Sequence, residues 1–465
     1  MKLENIREGL TFDDVCVLPA CSDIYAEDVS LFVRLAPSIG LSIPIISAAR
    51  ESVTEAKMAI ALARQGGLGV IHYNMGIDVQ AIEVDKVKRC EHGVITDPIS
   101  ITPNDFLSSA NEKMAQYRIS GVPVIENGKL TGIITNRDLR FETDLTKKVY
   151  EVMTKDGLIT SHEGTSLEEA KRILAKHKIE KLPLVDEKGV LKGLITIKDI
   201  EKAIRYPNAS KDSQGRLLAA ASIGTSGDFV ERAAELVKKK VDMLCIDAPN
   251  GHHADVVAAV AAVKQRFGEV PLVAGNVATP EAARALIDAG ADCIKVGMGT
   301  ARNSRTRTQA GIAIPQITAV SDCYDVCRQH GIPVISDGGI RTPGDITKAL
   351  AAGASAIMMG RIFVGCDESP GRVELYQGRK YKAYKSAEPQ PAARNMPQSW
   401  EKTEIIHHTE SPEGRVPARG PLEETIRQFL SGLRTGFAYA GCLDIKQLHE
   451  RARFIRISSS TLAEE

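Results

Sequence analysis

The chain has 465 residues, with 59 Lys plus Arg set against 59 Asp plus Glu, so no net field draws it to nucleic acid or an anionic membrane surface. Its 43% hydrophobic and 25% charged residues fit a water-soluble globular protein, at a length suited to two or three domains. The N-terminal MKLENIREGL lacks the apolar core of a secretory signal, and no apolar run reaches bilayer-spanning length. Nine scattered cysteines include no CxxC pair, so a cytoplasmic protein with reduced thiols is expected, with no membrane and no specific nucleic-acid partner.

Along the chain, short β-rich apolar runs near 44–47 (PIIS) and 69–72 each lead into a helical stretch. The region 92–205 then repeats itself. The segment from Pro123 through Thr135 to Asp138 returns as the segment from Pro183 through Thr196 to Asp199, a period of about 60 residues in which each copy reads helix, strand, turn, strand, helix. The copies, about 92–145 and 146–205, are expected to pack as a pseudo-symmetric pair around one shared core. After the repeat, strands are expected near 219–223, 243–247, 272–275, 293–297, 333–337 and 356–360, separated by amphipathic stretches such as DFVERAAELVKKK and TPEAARALIDAG. Eight buried strands alternating with helices predict a (β/α)8 TIM barrel formed by 1–91 and 206–465, with the repeat inserted between its second and third units. An open doubly wound sheet is the alternative. From about 371 to 420 the charged, Gly-containing sequence reads as a flap, before helical pattern resumes at EETIRQFLSGLRTGFAYAG.

In such barrels the chemistry gathers at the C-terminal ends of the strands. The seventh strand ends Ser336-Asp337-Gly338-Gly339, and a helix opens just beyond. Its glycines allow backbone N–H groups to approach an oxyanion, while Asp337 suits sugar hydroxyls. The eighth ends Met358-Met359-Gly360-Arg361, the second half of a phosphate site. The sixth leads into Gly297-Met298-Gly299-Thr300-Ala301-Arg302-Asn303-Ser304-Arg305-Thr306-Arg307, whose arginines suit phosphate or carboxylate. Asp247 and Asn250 follow the fourth strand and Asn276 lies in the fifth; each is either a site group or a plain strand-end cap. His252 and His253 read as surface or helix-start residues rather than metal ligands.

The segments LTFDDVCVLPA, IPIISAARESVTEAKMAIALARQGGLGVIHYNM, VAGNVAT, GADCIKVGMG, GIAIPQITAV, ISDGGIRTPGDITKAL and EGRVPARGPLEETIRQFLSGLR, in that order, resemble the IMP dehydrogenase/GMP reductase family. The repeat resembles a tandem CBS pair, or Bateman module. The resemblance implies a barrel assembling as a homotetramer, in some cases an octamer, that binds a purine nucleoside monophosphate with NAD or NADP beside it. By position, Asp337 would hold the ribose, and Gly338, Gly339, Gly360 and Tyr384 would surround the 5′-phosphate. Glu410 would meet the base. Asp247, Asn276, Gly297 and Gly299 match cofactor-side positions, and carbonyls of Gly299, Ala301 and Ser304 match a monovalent cation (K+) site. Thr135 with Asp138, and Thr196 with Asp199, match residues that hold the ribose of a regulatory adenine or guanine nucleotide.

The departures from the family pattern cluster in one pocket. Ser304 stands where the family's thiolate attacks the purine, with Thr306 retained two residues on. Arg302 and Arg361 replace phosphate-site serines. Arg50-Glu51 replaces a methionine and an aspartate near the base, Ser399-Trp400 stands for an Arg–Tyr pair, and Ser386-Ala387-Glu388 for a Gly-Met-Gly. A hydroxyl is a far poorer nucleophile than a thiol of pKa ~8.5. Three readings follow: a diverged NAD(P)-linked oxidoreductase, an enzyme acting without covalent attachment on a more anionic nucleotide in specialised biosynthesis, or an inactive regulatory nucleotide-binding homologue. All three hang on the alignment of Ser304, and a thiol such as Cys293 or Cys327 at the same cavity would overturn them.

Overall fold

The computed structural model describes residues 6–90, 94–95, 98–117, 119–300, 304–385 and 413–458. The chain divides into two compact units, one comprising Met1–Cys90, Asn208–Asp212 and Leu217–Glu465, the other Glu91–Pro207 with Ser213–Arg216. No helix among the described residues is long and apolar enough to cross a membrane.

The first unit is a closed parallel barrel of β1 (Ile45–Ser47), β2 (Leu68–Ile71), β3 (Ala220–Ile223), β4 (Met243–Asp247), β5 (Leu272–Val277), β6 (Cys293–Val296), β7 (Val334–Asp337) and β8 (Ala356–Met359). β8 pairs with β1 through Met359 and Ser47, which leaves no free sheet edge. Side chains on both faces of these strands are buried, so they read as continuous apolar runs instead of alternating ones. The sequence places every strand, with ends displaced by one or two residues: β5 runs on to Val277, and His72 falls outside β2.

The helices between strands start where the sequence supplies caps. Thr279 accepts from Ala282 N at 3.3 Å ahead of Pro280–Asp288, and Thr342 accepts from Asp345 N ahead of Pro343–Ala351, both with Pro in the first turn. A long helix, Leu422–Tyr439, lies against Pro343–Ala351, where Gly432 meets Pro343 and Gly436 meets Thr347. In the expected flap region, Val373–Tyr376, Arg379–Lys385 and Glu413–Pro417 form an antiparallel three-stranded sheet, and 386–412 lie outside the described residues.

At the opposite end of the barrel from the strand C-termini, Lys88 is buried on helix Ile77–Cys90. Its ammonium donates to Asp242 (2.7 Å), Asp212 (2.9 Å) and the Leu217 carbonyl (3.0 Å). Asp242 also accepts from Ala219 N at 2.8 Å. One cation therefore ties the point where the barrel chain leaves to the points where it returns.

The second unit carries the repeat: helix Leu107–Tyr117 with hairpin Gly121–Glu126 and Lys129–Thr135, then helix Leu167–His177 with hairpin Lys181–Val185 and Leu191–Thr196. The expected single shared core is not what forms. Ala110 and Met114 pack on Val122, Val124 and Ile134, whereas Ala170 and Leu174 pack on Leu182, Leu184 and Ile195, as two separate clusters. Each helix covers its own hairpin, while Val149, Val152 and Met153 of the second copy pack into the first cluster and Val94 of the first copy packs on the second. The copies are joined by polar and backbone contacts, including Leu130 N to Gly189 O at 3.0 Å and Lys181 Nζ to Ser120 Oγ at 2.8 Å.

Burial pushes the Asp242 carboxyl above its usual range even with Lys88 beside it. Lys88→Met would leave that acid without its cation, a change that costs roughly 3–5 kcal/mol at buried pairs. The barrel's thermal unfolding should move down by several degrees, and Asp242→Asn added to Lys88→Met should recover part of the loss.

Candidate active site at the barrel mouth

The strand C-termini converge on a buried cation that the sequence pattern does not single out. Lys295, in the otherwise apolar run Cys293–Val296, is 1% exposed. Its ammonium donates to Asp247 Oδ1 at 2.6 Å and Asp337 Oδ2 at 3.1 Å, and to the Asn276 side-chain oxygen. Asn276 in turn donates to Asp337 Oδ2 and the Gly297 carbonyl, both at 2.9 Å. β4, β5, β6 and β7 thus each contribute one member. The register sets the meeting: Asp247 pairs with Gly275 and Gly275 with Lys295, while Asn276 follows Gly275 and Asp337 lies two residues beyond Ile335, the partner of Lys295, so the long lysine side chain reaches toward the strand C-termini to meet them.

The charges reinforce each other. Burial works against the Lys295 ammonium, yet Asp247 and Asp337 outweigh it and hold its pKa above the ordinary lysine value. Burial likewise disfavours the Asp337 carboxylate, but Lys295, the Asn276 amide and the field of Arg50 hold it below the usual range. Both groups are ionised at neutral pH, and Asp337 remains partly open to the mouth.

Around this cluster the backbone comes close. A side chain at Gly297 would collide with the Asp337 carbonyl, so the sixth and seventh strand ends touch only because that position is bare. Gly338 and Gly339 both have positive φ (105° and 82°); a Cβ on Gly338 would strike the Thr300 hydroxyl, and one on Gly339 would lie 2.9 Å from the Phe12 ring. The N-terminal segment therefore buttresses the β7 loop from beneath, with Lys348 Nζ donating to the Phe12 carbonyl at 2.9 Å. Gly360 lies on the neighbouring strand end, where a Cβ would sit 3.6 Å from Ala48 of the β1 loop. The two glycine turns are adjacent, as the sequence pattern requires of an oxyanion cradle.

The β6 loop folds back across the mouth. Ile314 N donates to the Met298 carbonyl at 3.1 Å, and Gly299 packs on Ala313 and Ile312. Ser304 is buried at the N-cap of Arg305–Ala310, yet its hydroxyl does not cap the helix; its carbonyl instead accepts from Thr308 N (3.0 Å) and Thr308 Oγ1 (2.9 Å). Thr306 is half-buried at the second position of that helix. Gln316, a second group that the sequence pattern does not single out, donates to the Val296 carbonyl and Ser336 Oγ, both at 2.9 Å, behind the same loop.

Cys293 and Cys327 sit elsewhere. Cys293 begins β6 at the far end of the barrel and bonds the Pro333 carbonyl at 3.2 Å, and Cys327 ends helix Gln316–Cys327. Cys245 lies within β4 beneath the Lys295 cluster. Burial pushes the Cys245 and Cys327 thiols up to about 12 and Cys293 well above its ordinary value, so none supplies a thiolate at neutral pH.

Arg50 and Arg361 are exposed on the β1 and β8 loops. Asn250 lies beyond β4, its side chain accepting from His252 N at 3.1 Å, and His253 caps helix Ala254–Arg266. Tyr384 is in a strand, paired with Gly414. Ala301, Arg302, Ser386-Ala387-Glu388, Ser399-Trp400 and Glu410 lie outside the described residues. In the second unit, Thr135 Oγ1 donates to Asp138 Oδ2 at 2.8 Å and Thr196 Oγ1 to Asp199 Oδ2 at 2.5 Å, each pair closing the start of a helix.

Known proteins share this fold and sequence. Residues 9–465 match the model of the IMP dehydrogenase / GMP reductase domain. An inosine-5′-monophosphate dehydrogenase of Bacillus subtilis (strain 168) is 50% identical, over 98% of this chain and 95% of that protein. One from Staphylococcus epidermidis is 52% identical over the same shares. Among solved structures, a variant GMP reductase of Trypanosoma brucei in complex with guanosine 5′-monophosphate superposes with a TM-score of 0.88 at 36% identity, covering 99% of this chain and 98% of that one. The same organism's GMP reductase in complex with guanosine 5′-triphosphate gives 0.82 at 34% identity, covering 98% and 99%.

Asp337, held below its ordinary ~3.9, contributes stability present above about pH 4 and lost as acid titrates the folded carboxylate; Lys295, held above ~10.4, contributes fully below about pH 10 and loses its share as base titrates the folded ammonium. Lys295→Met leaves two carboxylates facing each other at a cost of roughly 3–5 kcal/mol. Its deficit in unfolding temperature should be constant between about pH 5 and pH 9 and shrink below about pH 4, as followed by circular dichroism at each pH.

Proposed function

The chain belongs to the IMP dehydrogenase/GMP reductase family, and from that premise we propose that its barrel binds a purine nucleoside monophosphate as a diverged NAD(P)-linked oxidoreductase of purine nucleotide metabolism. The observation that carries the reading is the Asp247–Lys295–Asp337–Asn276 cluster set beside the glycine turns of β7 and β8. Asp337, ionised and half-open, accepts hydrogen bonds from the ribose hydroxyls. Backbone N–H groups at Gly338, Gly339 and Gly360, with Tyr384 and Arg361, surround the 5′-phosphate. Glu410 and Arg302 complete the base and phosphate contacts.

The residues on the β4–β6 side fit a nicotinamide dinucleotide: Lys295 occupies Asp247 Oδ1, which leaves Oδ2 at the mouth for a second ribose diol. Asn276, Gly297 and Gly299 border that side, and when bound the nicotinamide would supply the hydride acceptor or donor. The carbonyls of Gly299, Ala301 and Ser304 suit a monovalent cation such as K+. Ser304 stands where attack on the purine is expected, with Thr306 beside it. A thiol at neutral pH is a few per cent thiolate, whereas a serine hydroxyl without a base is essentially un-ionised, so the covalent route is closed to Ser304. In the second unit, we assign the repeats as tandem CBS domains in which Thr135, Asp138, Thr196 and Asp199 hold adenine or guanine nucleotides. A cytoplasmic homotetramer, or a pair of them, completes the proposal.

A second reading, an enzyme without covalent chemistry that takes a more anionic nucleotide, is favoured by Arg50 and Arg361, which are exposed at the same mouth.

Following absorbance at 340 nm with IMP plus NAD and with GMP plus NADPH tests the first reading. Slow turnover is expected for the natural chain, and Ser304→Cys should raise it at least about tenfold, equivalent to ~1.4 kcal/mol of barrier. Turnover of the natural chain already matching the family's dehydrogenases would refute the role given to Ser304. An unchanged Ser304→Cys would favour the second reading.

A further inference from the structure

Arg50 follows β1 on a turn that holds it rigidly. Its N–H donates to the Ala48 carbonyl at 2.8 Å, and its own carbonyl accepts from Val53 N (2.9 Å) and Thr54 N (3.0 Å). The Thr54 hydroxyl is buried and donates to the Ala48 carbonyl (2.7 Å) and Ser47 Oγ (2.8 Å), which anchors the turn to the strand. The guanidinium is exposed, and its charge reaches Asp337 strongly enough to help hold that carboxylate ionised.

The acids around Arg50 are engaged elsewhere. Glu51 accepts from the Asn74 side chain, and Glu55 faces His72 at 3.8 Å. Asp337 is taken by Lys295 and Asn276. Among the described residues no carboxylate forms an ion pair with Arg50 or with Arg361. Arg361 directly follows Gly360 and so stands at the phosphate end, while Arg50 lies across the β8–β1 seam, where Met359 pairs with Ser47. Two rigidly based cations at one mouth are thus separated, one beside the glycine cradle and one beside the ribose-binding acid. A guanidinium with an open planar fork, set at the edge of a pocket, is matched by a carboxylate or phosphate.

We propose that Arg50 forms a second anion subsite, so that the substrate is a purine nucleotide carrying a further carboxylate or phosphate group besides the 5′-phosphate at Arg361. This rests on the reading of the mouth as a purine nucleotide site. The subsite makes Arg50 a specificity determinant: it favours the more anionic member of any pair of nucleotides that share a base, ribose and 5′-phosphate.

Calorimetric titration of the full chain tests it with two pairs, AMP against N6-succinyl-AMP for a carboxylate on the base, and GMP against guanosine 3′,5′-bisphosphate for a second phosphate on the ribose. At least one pair should show a tenfold or greater preference for the more anionic member, and that pair identifies the source of the anion. Arg50→Met should bring the ratio within twofold of unity, and Arg50→Lys should restore part of it by charge alone. Equal affinities within both pairs, or an Arg50→Met change that weakens both members by the same factor, would overturn the subsite. Should none of the four nucleotides bind, titration with pyrophosphate separates the two ideas. Arg50-dependent binding of pyrophosphate would keep the subsite and remove the nucleotide reading, and binding indifferent to Arg50 would remove both.

Discussion

A lysine sealed inside a barrel between two carboxylates is the constraint from which the rest of the mouth follows. Lys295 could not remain charged in that position alone, since desolvation of a lone ammonium costs several kcal/mol. Asp247 and Asp337 supply the opposing charge from two other strands, and Asn276 fills the gap between them. The four groups lock β4 to β7 at their C-terminal ends. The same arrangement keeps Asp337 ionised while part of its carboxylate stays exposed.

The surrounding loops are shaped by what the cluster leaves no room for. Gly297 must be bare because the Asp337 carbonyl occupies the place of its side chain, and the β6 loop can then cross toward β7. Thr300 on that loop fills the space over Gly338, and Phe12 fills the space under Gly339. The glycine turn is therefore packed against Thr300 on one side and Phe12 on the other. Ser304 hangs from the same loop as a buried hydroxyl that caps nothing. Its position is set by the loop.

Much of this could be read directly from residues. The apolar runs ending in Asp247, Asp337 and Gly360 marked their strands because a parallel strand is covered on both faces and leaves its polar residues for the ends. The Gly338-Gly339 pair before TPGDITKAL marked a turn into a helix with a Thr cap, and that is what forms. Lys295 was missed because one lysine in a short apolar run looks like a strand residue facing solvent, and its two partners lie 48 and 42 residues away. Gln316 was missed for the same reason, since a polar residue at a helix start is unremarkable until Ser336 is found behind it. The repeat misled in one respect: equal copies suggested a common core, but Met114 and Leu174 each reach only their own hairpin.

The sequence by itself determined the order of strands and helices, the internal repeat, the family and the identity of the side chain at position 304. Those properties are local, written in hydrophobic period, in turn residues and in runs of matched segments. Only the tertiary structure decided that Lys295 neutralises Asp247 and Asp337, that Cys293 and Cys327 are held away from the mouth, and that Arg50 directs its field at Asp337. Such pairings depend on the register with which the barrel closes, and closure brings together residues whose separation along the chain carries no signal of their contact.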